Sequence, residues 1–555
     1  MTPVQRHKQY KNRKPEETIA IIQGLLENKL GINTYERLFQ EKNGLFHSCR
    51  ILLDNGSWLR TVNIGTNGKG MTEAYSKASA YGELMERIQN YALLRFADFA
   101  THTYLGKHKE DFPFYYEQIV EKDLVLPFRY TPDEIVSADN IYLKQAVDHY
   151  LFSANNARIY EKTKDLEHYY IPYYDINSND VVSLPYDIMY NSISTNGMCA
   201  GNTPKEALIE GLSEILERYV IRKIYFDNLT LPVIPRELFK GNEILNRIQE
   251  LEGHEGYIIK IVDCSLGVGI PAVGAIILTT DGEQYQFHMG VDPSPITALE
   301  RSLTELFQGR NSVKFKMFDK ELQTKLLKES SVKEEEMHKT NSASTGAYPI
   351  SLFYDEPSYQ FSGFDNDFGR SDDTDLKLLT SLIERLGFKI YVRDNSFLGF
   401  PAYSIYIPGM SEIHNTNSLR YFEATYGKYE NLFIKAHQVE RLDKNDVKFL
   451  QESLDEVPDN YFALVFPTND IWMRTDDIEL ERARVSYLYG DTSRLLSKEM
   501  DKDSFLSMVA NCFSCNDCKI SKSCHYFKYL AILKKLMSIQ TSSLINQMSL
   551  QSIFK

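Results

Sequence analysis

One short charged sequence occurs twice in this chain, and a weaker copy of it occurs a third time. Residues Glu83–Arg87 have the sequence ELMER, Glu214–Arg218 have EILER, and Glu305–Arg310 have ELFQGR. The first two copies follow Thr-Asn-Gly triplets at Thr66–Gly68 and Thr195–Gly197. Packing selects apolar residues, so a repeat of charged residues indicates a shared function. The repeat predicts similar helices, the first two preceded by glycine turns, that line one site with carboxylates.

The three copies fit amphipathic helices. At 100° per residue, the first copy places Tyr81, Leu84 and Ile88 on one face and its glutamates on the opposite face. We therefore predict helices at 72–97 and 204–225, and a third helix that carries the last copy. Their polar faces align in three rows: Ser79, Glu210 and Arg301; Glu83, Glu214 and Glu305; Glu86, Glu217 and Gln308.

Each of these faces, taken singly, fits a solvated surface of glutamates. The repeat favours a second interpretation, in which the faces converge. Two like charges about 4 Å apart repel by roughly 4 kcal/mol at an effective dielectric near 20, so such a cluster needs cations. Carboxylates without His or Cys suit Mg²⁺, which often bridges carboxylates to phosphates. The arginines and Lys69 would then bind a polyphosphate.

Bulk properties narrow the class of protein. The 555 residues carry a net charge of −14, which argues against nucleic-acid binding, and are long enough for two or three domains. The N-terminus lacks the apolar segment of a signal peptide, and no run of 18 apolar residues predicts a membrane span. We expect a cytoplasmic protein.

Four cysteines lie close together near the C-terminus, at Cys512, Cys515, Cys518 and Cys524. Such a cluster in a cytoplasmic protein more often binds metal than forms disulfides. Structural Zn²⁺ and an iron–sulfur cluster both fit four thiolates, and free or redox-active thiols are the alternative.

The order of the elements predicts an α/β (α+β) fold with repeated strand–helix units and mixed sheets. We expect an N-terminal tail and helix at 1–45, a catalytic domain at 46–417, and a smaller helical region at 418–555. We also expect a solvated helix and loop at 320–345. The main predicted strands are 46–53, 58–64, 169–174, 256–263, 272–278, 284–290, 389–393 and 403–407; the other helices are 16–29 and 375–386.

The sequence around the repeats resembles the YcaO family. The resemblance rests on long, ordered motifs between about residues 45 and 420: Thr66–Ala74, Ala78–Arg87, Asn196–Thr203, Gly211–Tyr219, Ala298–Arg310 and Ile407–Ser411. It implies an enzyme that uses ATP and Mg²⁺ to activate a peptide backbone amide. Attack on the carbonyl carbon by a side chain gives an azoline, attack by sulfide a thioamide, and attack by an amine an amidine.

The resemblance also assigns residues. Carried over by position, Glu83, Glu86, Glu214 and Glu217 would bind Mg²⁺. The nucleotide would contact Lys69, Ser79, Arg87, Asn196, Arg218, Gln308 and Arg310. The catalytic roles would fall to Glu83, Glu214 and Arg310.

The chain resembles most the stand-alone branch of the family linked to ribosomal-protein methylthiolation. It ends Gln551-Ser-Ile-Phe-Lys555, without the Pro-rich terminus usual in azoline-forming members, which weakens the azoline interpretation. Two other functions stay open: a non-catalytic ATP-binding adaptor for a sulfur-inserting partner, and a redox protein acting through the cysteines. The expected partners are a peptide or protein substrate and a leader-peptide-binding or sulfide-delivery protein; a homodimer is left open.

Overall fold

The computed structural model describes about three fifths of the chain. The predicted strand at 58–64, the region from 418 and the four clustered cysteines lie wholly or mostly outside the described residues. The described ranges are 3–6, 11–54, 65–90, 129–130, 168–185, 193–310, 312–365, 367–413, 532, 535–536, 538–540, 542–543 and 545–554.

Three antiparallel sheets and the helices packed on them make up the described structure, which confirms the predicted mixture of strands and helices. The strands are β1 Thr34–Gln40, β2 His47–Leu53, β3 Gly65–Gly70, β4 Arg129–Tyr130, β5 His168–Asp175, β6 Asp180–Pro185, β7 Met198–Ala200, β8 Ile258–Asp263, β9 Ala272–Leu278, β10 Gln284–Val291, β11 Lys316–Met317, β12 Tyr391–Asp394 and β13 Ala402–Tyr406. The helices are α1 Pro15–Leu25, α2 Glu73–Gln89, α3 Pro204–Phe226, α4 Glu243–Glu255, α5 Pro295–Glu305, α6 Lys320–Lys328, α7 Ser330–Ala343, α8 Asp372–Arg385 and α9 Gln551–Phe554. Among the described helices, none combines the length and apolar character needed to cross a bilayer.

The three sheets have simple strand orders. The first is β1-β2-β3, the second is β11-β10-β9-β8, and the third is β4-β5-β12-β13-β7 with β6 paired to β5. All pairs among them are antiparallel, for example Cys49 opposite Gly68 and Phe287 opposite Ile276. The sequence did not predict β1, which pairs with β2 along its whole length.

The predicted repeat appears as three strand–helix units, one on each sheet. Helix α2 follows β3 and packs on β3 and β2, α3 follows β7 and packs on β7 and β13, and α5 follows β10 and packs on β10 and β9. Each helix begins in the same way, because Thr72, Thr203 or Ser294 accepts a hydrogen bond from the backbone N–H three residues later. The chain therefore builds one local unit three times.

The apolar faces of these helices form the core, as predicted. Leu84 and Ile88 of α2, Leu212 and Leu216 of α3 and Leu299 of α5 are at most 1% exposed. Their burial removes apolar area from water at about 25 cal/mol per Å², and it fixes the opposite, polar faces toward one another. The first repeat helix, α2, ends at Gln89, earlier than its predicted end at residue 97.

The predicted glycine turn at Thr66–Gly68 is wrong, because these residues lie in strand β3. A Cβ on Gly68 would lie 2.2 Å from both the Ala80 nitrogen and the Ser76 oxygen of α2. The glycine is therefore required by close strand–helix packing and not by a turn. The second triplet does form a turn, and Gly197 there has φ of +90°.

Two further predictions need correction. Helix α5 ends at Glu305, so Gln308 and Arg310 lie in the turn beyond it and not on a helical face. The segment 320–345 forms the two helices α6 and α7 and is not wholly solvated, since Lys333 and Glu336 of α7 are buried.

Candidate functional site

Helix α2 carries two glutamates that share one arginine. Arg87 Nη2 lies 3.3 Å from Glu83 Oε1, and Arg87 Nη1 lies 3.0 Å from Glu86 Oε1. The other oxygen of Glu83 accepts a hydrogen bond of 3.2 Å from the backbone N–H of Asn67 in β3. Asn67 is itself oriented by Arg50, whose Nη1 donates to its Oδ1 over 3.0 Å. Strand β3 therefore positions the carboxylate of Glu83.

Glu86 of α2 faces glutamates of α3. Burial raises the pKa of Glu86 well above its ordinary value, and the charges of Glu214 and Glu83 raise it further against the opposing effect of Arg87. The pKa of Glu214 is also raised, by burial and by Glu217, against Arg218 and Arg87. Both charged carboxylates are therefore poorly compensated by the protein, which is the electrostatic condition for binding a cation.

The other two glutamates on the polar face of α3, Glu210 and Glu217, pair with cations from other elements. Arg301 of α5 donates to Glu210, and its Nη2 lies 3.9 Å from Glu217 Oε2. Lys11 of the N-terminal segment donates to Glu210 over 2.9 Å. Burial alone would raise the pKa of Glu210, but Arg301 and Lys11 hold it well below its ordinary value. Lys11 was missed, because nothing in the sequence links it to residues almost two hundred positions away.

Lys69 of β3 pairs with Glu305 at the end of α5. Burial, together with the charge of nearby Arg301, lowers the pKa of Lys69 to about 8, against the opposing effect of Glu217. Lys69 is therefore within electrostatic reach of groups on all three repeat units.

Asn196 lies in the turn before β7. It is 1% exposed, and its Nδ2 donates to the Ser411 carbonyl over 2.7 Å. Its Oδ1 is buried and has no hydrogen-bond partner within the described structure. A buried, unpartnered oxygen is costly, so it marks a position for a donor that the protein itself does not supply.

The remaining predicted residues lie around these groups. Arg218 Nη2 is 3.8 Å from Glu214 Oε1, and its Nη1 donates to Asn341 over 3.5 Å. Arg310 is half-buried beyond α5, and burial lowers its pKa. Ser79 is exposed on α2, and Gln308 is partly buried. Ion pairs thus connect the first unit to the third through Lys69, and the third unit to the second through Arg301.

Within the described residues, no three His, Cys, Asp or Glu side chains are arranged as a ready-made metal site. Arg87 and Arg301 lie among the carboxylates and form ion pairs with them. The donor set nevertheless fits Mg²⁺, which takes carboxylate oxygens. One oxygen of Glu86 is buried without a hydrogen bond, since its approach to Arg87 lacks hydrogen-bond geometry.

Comparison with known proteins agrees with the resemblance in the motifs. The profile of a family described as YcaO cyclodehydratase, ATP- and Mg²⁺-binding, matches residues 67–411. A protein of Escherichia coli K12, the ribosomal protein S12 methylthiotransferase accessory factor YcaO, is 29% identical over 394 residues, which are 70% of this chain and 65% of that protein. An uncharacterized protein of Haemophilus influenzae is 30% identical over 377 residues, 65% of this chain and 60% of that protein. The chain therefore matches less than two thirds of the length of either relative.

Two solved structures are also similar. A heterocyclase in complex with substrate and cofactor has a TM-score of 0.49 at 19% identity, and the match covers 74% of this chain and 54% of the heterocyclase chain. YcaO from Methanopyrus kandleri, bound with AMPPCP and Mg²⁺, has a TM-score of 0.41 at 18% identity, and the match covers 72% of this chain and 92% of the Methanopyrus chain.

Proposed function

Because the chain belongs to the YcaO family, we propose that it is an ATP- and Mg²⁺-dependent enzyme that activates a backbone amide of a peptide or protein. The observation that carries this proposal is the convergence of the three polar faces. Carboxylates from α2 and α3 are grouped with arginines and a lysine from all three repeat units. This mixture suits a metal-bound polyphosphate, since the carboxylates bind the metal and the cations bind the phosphates.

Glu83, Glu86, Glu214 and Glu217 would hold Mg²⁺. The raised pKa values of Glu86 and Glu214 support this assignment, because a divalent cation would compensate the charges that burial disfavours. When bound, Mg²⁺ supplies charge neutralisation on the phosphate oxygens as the terminal phosphoryl group is transferred. Arg87 keeps Glu83 and Glu86 oriented from the side of α2.

The nucleotide would lie along the cationic side of the site. Lys69, Arg218 and Arg310 would contact the phosphates, and Asn196 offers its unpartnered oxygen to a donor of the nucleotide. Ser79, Arg87 and Gln308 complete the proposed set of contacts. The catalytic roles go to Glu83 and Glu214, through the metal, and to Arg310, through the transferred phosphoryl group.

The reaction would proceed at the amide carbonyl. A nucleophile forms a bond to the carbonyl carbon, the carbonyl oxygen takes the terminal phosphoryl group of ATP, and the C–O bond then breaks with release of phosphate. Sulfide as nucleophile leaves a thioamide, and a Cys, Ser or Thr side chain leaves an azoline. We propose the thioamide or azoline type of modification, in the maturation of a ribosomally made peptide or of a ribosomal protein.

A second candidate is a non-catalytic ATP-binding adaptor that brings a substrate to a sulfur-inserting enzyme. The Escherichia coli relative is named as an accessory factor, which favours this candidate. In either case we propose a peptide or protein substrate and a leader-peptide-binding or sulfide-delivery partner.

ATP turnover on a peptide separates the two candidates. The enzyme would release one phosphate per modified amide and change the peptide mass by loss of water or by exchange of oxygen for sulfur. An adaptor would bind ATP without a change in peptide mass. The full chain should be tested with peptides offered with and without sulfide, and Lys328→Arg, on α6 away from the polar faces, provides the control.

The cysteines Cys512, Cys515, Cys518 and Cys524 lie outside the described residues, so their role stays a proposal. We propose that they hold structural Zn²⁺ or an iron–sulfur cluster, because four soft ligands so close in sequence suffice to close a tetrahedral site. Elemental analysis of anaerobically purified protein tests this, and a metal-free, fully stable protein would contradict it.

A further inference from the structure

A buried histidine lies at the edge of the site. His288, on β10, is 8% exposed, and its Nε2 atom has no hydrogen-bond partner within the described structure. A buried nitrogen that forms no hydrogen bond costs stability. The position could have been filled by an apolar residue at lower cost. An unpartnered imidazole here therefore suggests a ligand that completes its hydrogen bonding.

The charged groups that act most strongly on His288 are all cations. Burial lowers its pKa well below the ordinary value, and the charges of Lys316, Lys69, Arg310 and Arg218 lower it further, in that order. These cations come from β11, β3, the turn after α5, and α3. The imidazole is therefore neutral and offers a hydrogen bond without adding a fifth charge.

Two of these cations lack an ion pair within the described part of the chain. Lys69 pairs with Glu305 and Arg218 lies near Glu214, but neither Arg310 nor Lys316 has a carboxylate within 4.0 Å there. Lys316 donates instead to the Gly346 carbonyl and lies 5.3 Å from the centre of the Tyr348 ring. Burial lowers the pKa of Lys316 to about 8 against the opposing charge of Glu336, and Arg310 adds to the decrease. Positive charge is thus in excess around His288.

We propose that His288 and Lys316, together with Arg310, Arg218 and Lys69, bind the β- and γ-phosphates of ATP. Four cations converging from four elements suit a compact polyanion better than a sugar, a base or a single carboxylate. Arg218 joins this group to the carboxylate row through Glu214, and the terminal phosphates are the ones that Mg²⁺ bridges to carboxylates. This inference rests on the proposed function, because it places more of the nucleotide in the same site.

Equilibrium binding of nucleotides to the full chain tests the inference, with Mg²⁺ present. The probes are a non-hydrolysable triphosphate analogue and AMP, which lacks the two outer phosphates. The variants are Lys316→Gln, His288→Leu and His288→Gln. Lys314→Gln is the matched control, because Lys314 is an exposed lysine two residues from Lys316.

We expect Lys316→Gln and His288→Leu to weaken binding of the triphosphate analogue by about tenfold or more, as expected for a lost hydrogen bond to a charged group. His288→Gln should restore part of the affinity, since its amide can donate a hydrogen bond. Binding of AMP should change by less than about twofold in every variant, and Lys314→Gln should match the wild type for both probes. Thermal unfolding provides the folding check, since leucine should leave the buried position at least as stable.

Unchanged affinity for the triphosphate analogue in both Lys316→Gln and His288→Leu would overturn the inference and leave the proposed function standing. Equal losses of both probes would also overturn it, because they would indicate a structural role for these residues. A wild-type protein that binds neither probe would overturn the proposed function, and the inference with it.

Discussion

The substitution Gly68→Ala tests whether the strand–helix packing positions the site. The added Cβ would lie 2.2 Å from the Ser76 oxygen and the Ala80 nitrogen, both backbone atoms of α2. Ordinary contact begins at 3.4 Å, so the helix and β3 must separate by roughly 1 Å. Overpacking of this kind costs about 1–3 kcal/mol, and at about 2.1 cal/mol/K of unfolding entropy per residue a loss of 3 kcal/mol lowers the Tm of a unit of this size by about 3–4 °C.

The same shift should reach the site, because Asn67 precedes Gly68 and donates to Glu83 over 3.2 Å. Glu86 lies on the same helix and would move with it. A displacement of about 1 Å can reduce turnover by roughly 100-fold. We therefore expect Gly68→Ala to lower both Tm and ATP turnover, measured by thermal unfolding and by phosphate release.

Gly82→Ala is the matched control on the same helix. A Cβ on Gly82 would meet no atom within 4 Å, so alanine should raise the free energy of unfolding by about 0.5–1 kcal/mol through helix propensity. Wild-type stability and turnover in Gly68→Ala would refute the argument that glycine is needed there for close packing.

Three other predictions concern Arg310, Glu86 and the clustered cysteines. Arg310→Lys keeps the charge but loses the planar fork, so it should weaken ATP affinity or turnover, whereas Lys328→Arg should not; equal effects would count against Arg310 as a nucleotide ligand. Glu86→Gln should raise Tm at neutral pH in the absence of nucleotide. Burial and the facing glutamates raise the Glu86 pKa, so the folded protein loses stability as pH rises above the ordinary pKa of 4.5 and Glu86 becomes charged. That gain should vanish below about pH 4.5, and a gain that is the same at all pH values would contradict this origin. Replacing Cys515 and Cys518 together with Ser should reduce metal content and stability more than ATP turnover, as measured by elemental analysis and thermal unfolding; unchanged metal content would refute it.

The helices could be predicted from sequence because their apolar faces follow helical spacing without interruption. Leu212 and Leu216 of α3 are buried as that spacing requires. The ends were harder, since Gly309, with φ of +70°, lies in the turn that follows α5, and the charge pattern alone gave no sign that the helix stops at Glu305. A spacing rule describes the middle of a helix better than its end.

The error at Gly68 has a different cause. Glycine is common in turns, but Gly68 lies in strand β3. The strand needs glycine at this position because a Cβ would lie 2.2 Å from backbone atoms of α2, which leaves no room for a side chain. That requirement is tertiary, and no local pattern expresses it. The buried face of α7 was missed for a similar reason: Lys333 donates to Asn228, and Glu336 accepts from the Ala347 backbone, so two charged residues are buried with distant partners.

The same difference between local pattern and tertiary contact applies to the residues of the candidate site. The glutamates could be predicted because they repeat along the chain. Lys11, and the proposed ligands His288 and Lys316, belong to no repeat, and only the fold brings them near the polar faces. Repetition along the chain made the carboxylates predictable, and no comparable signal marked these three single residues.

The central claim is that the polar faces of the three repeat units form one Mg²⁺-dependent nucleotide site. Binding of a non-hydrolysable ATP analogue to the wild type, Glu83→Ala and Glu214→Ala, each with and without Mg²⁺, tests it most directly. The account predicts binding that requires Mg²⁺ in the wild type and is lost in both variants, while thermal unfolding shows that both remain folded. Binding of equal affinity in all three proteins, or binding indifferent to Mg²⁺, would contradict it.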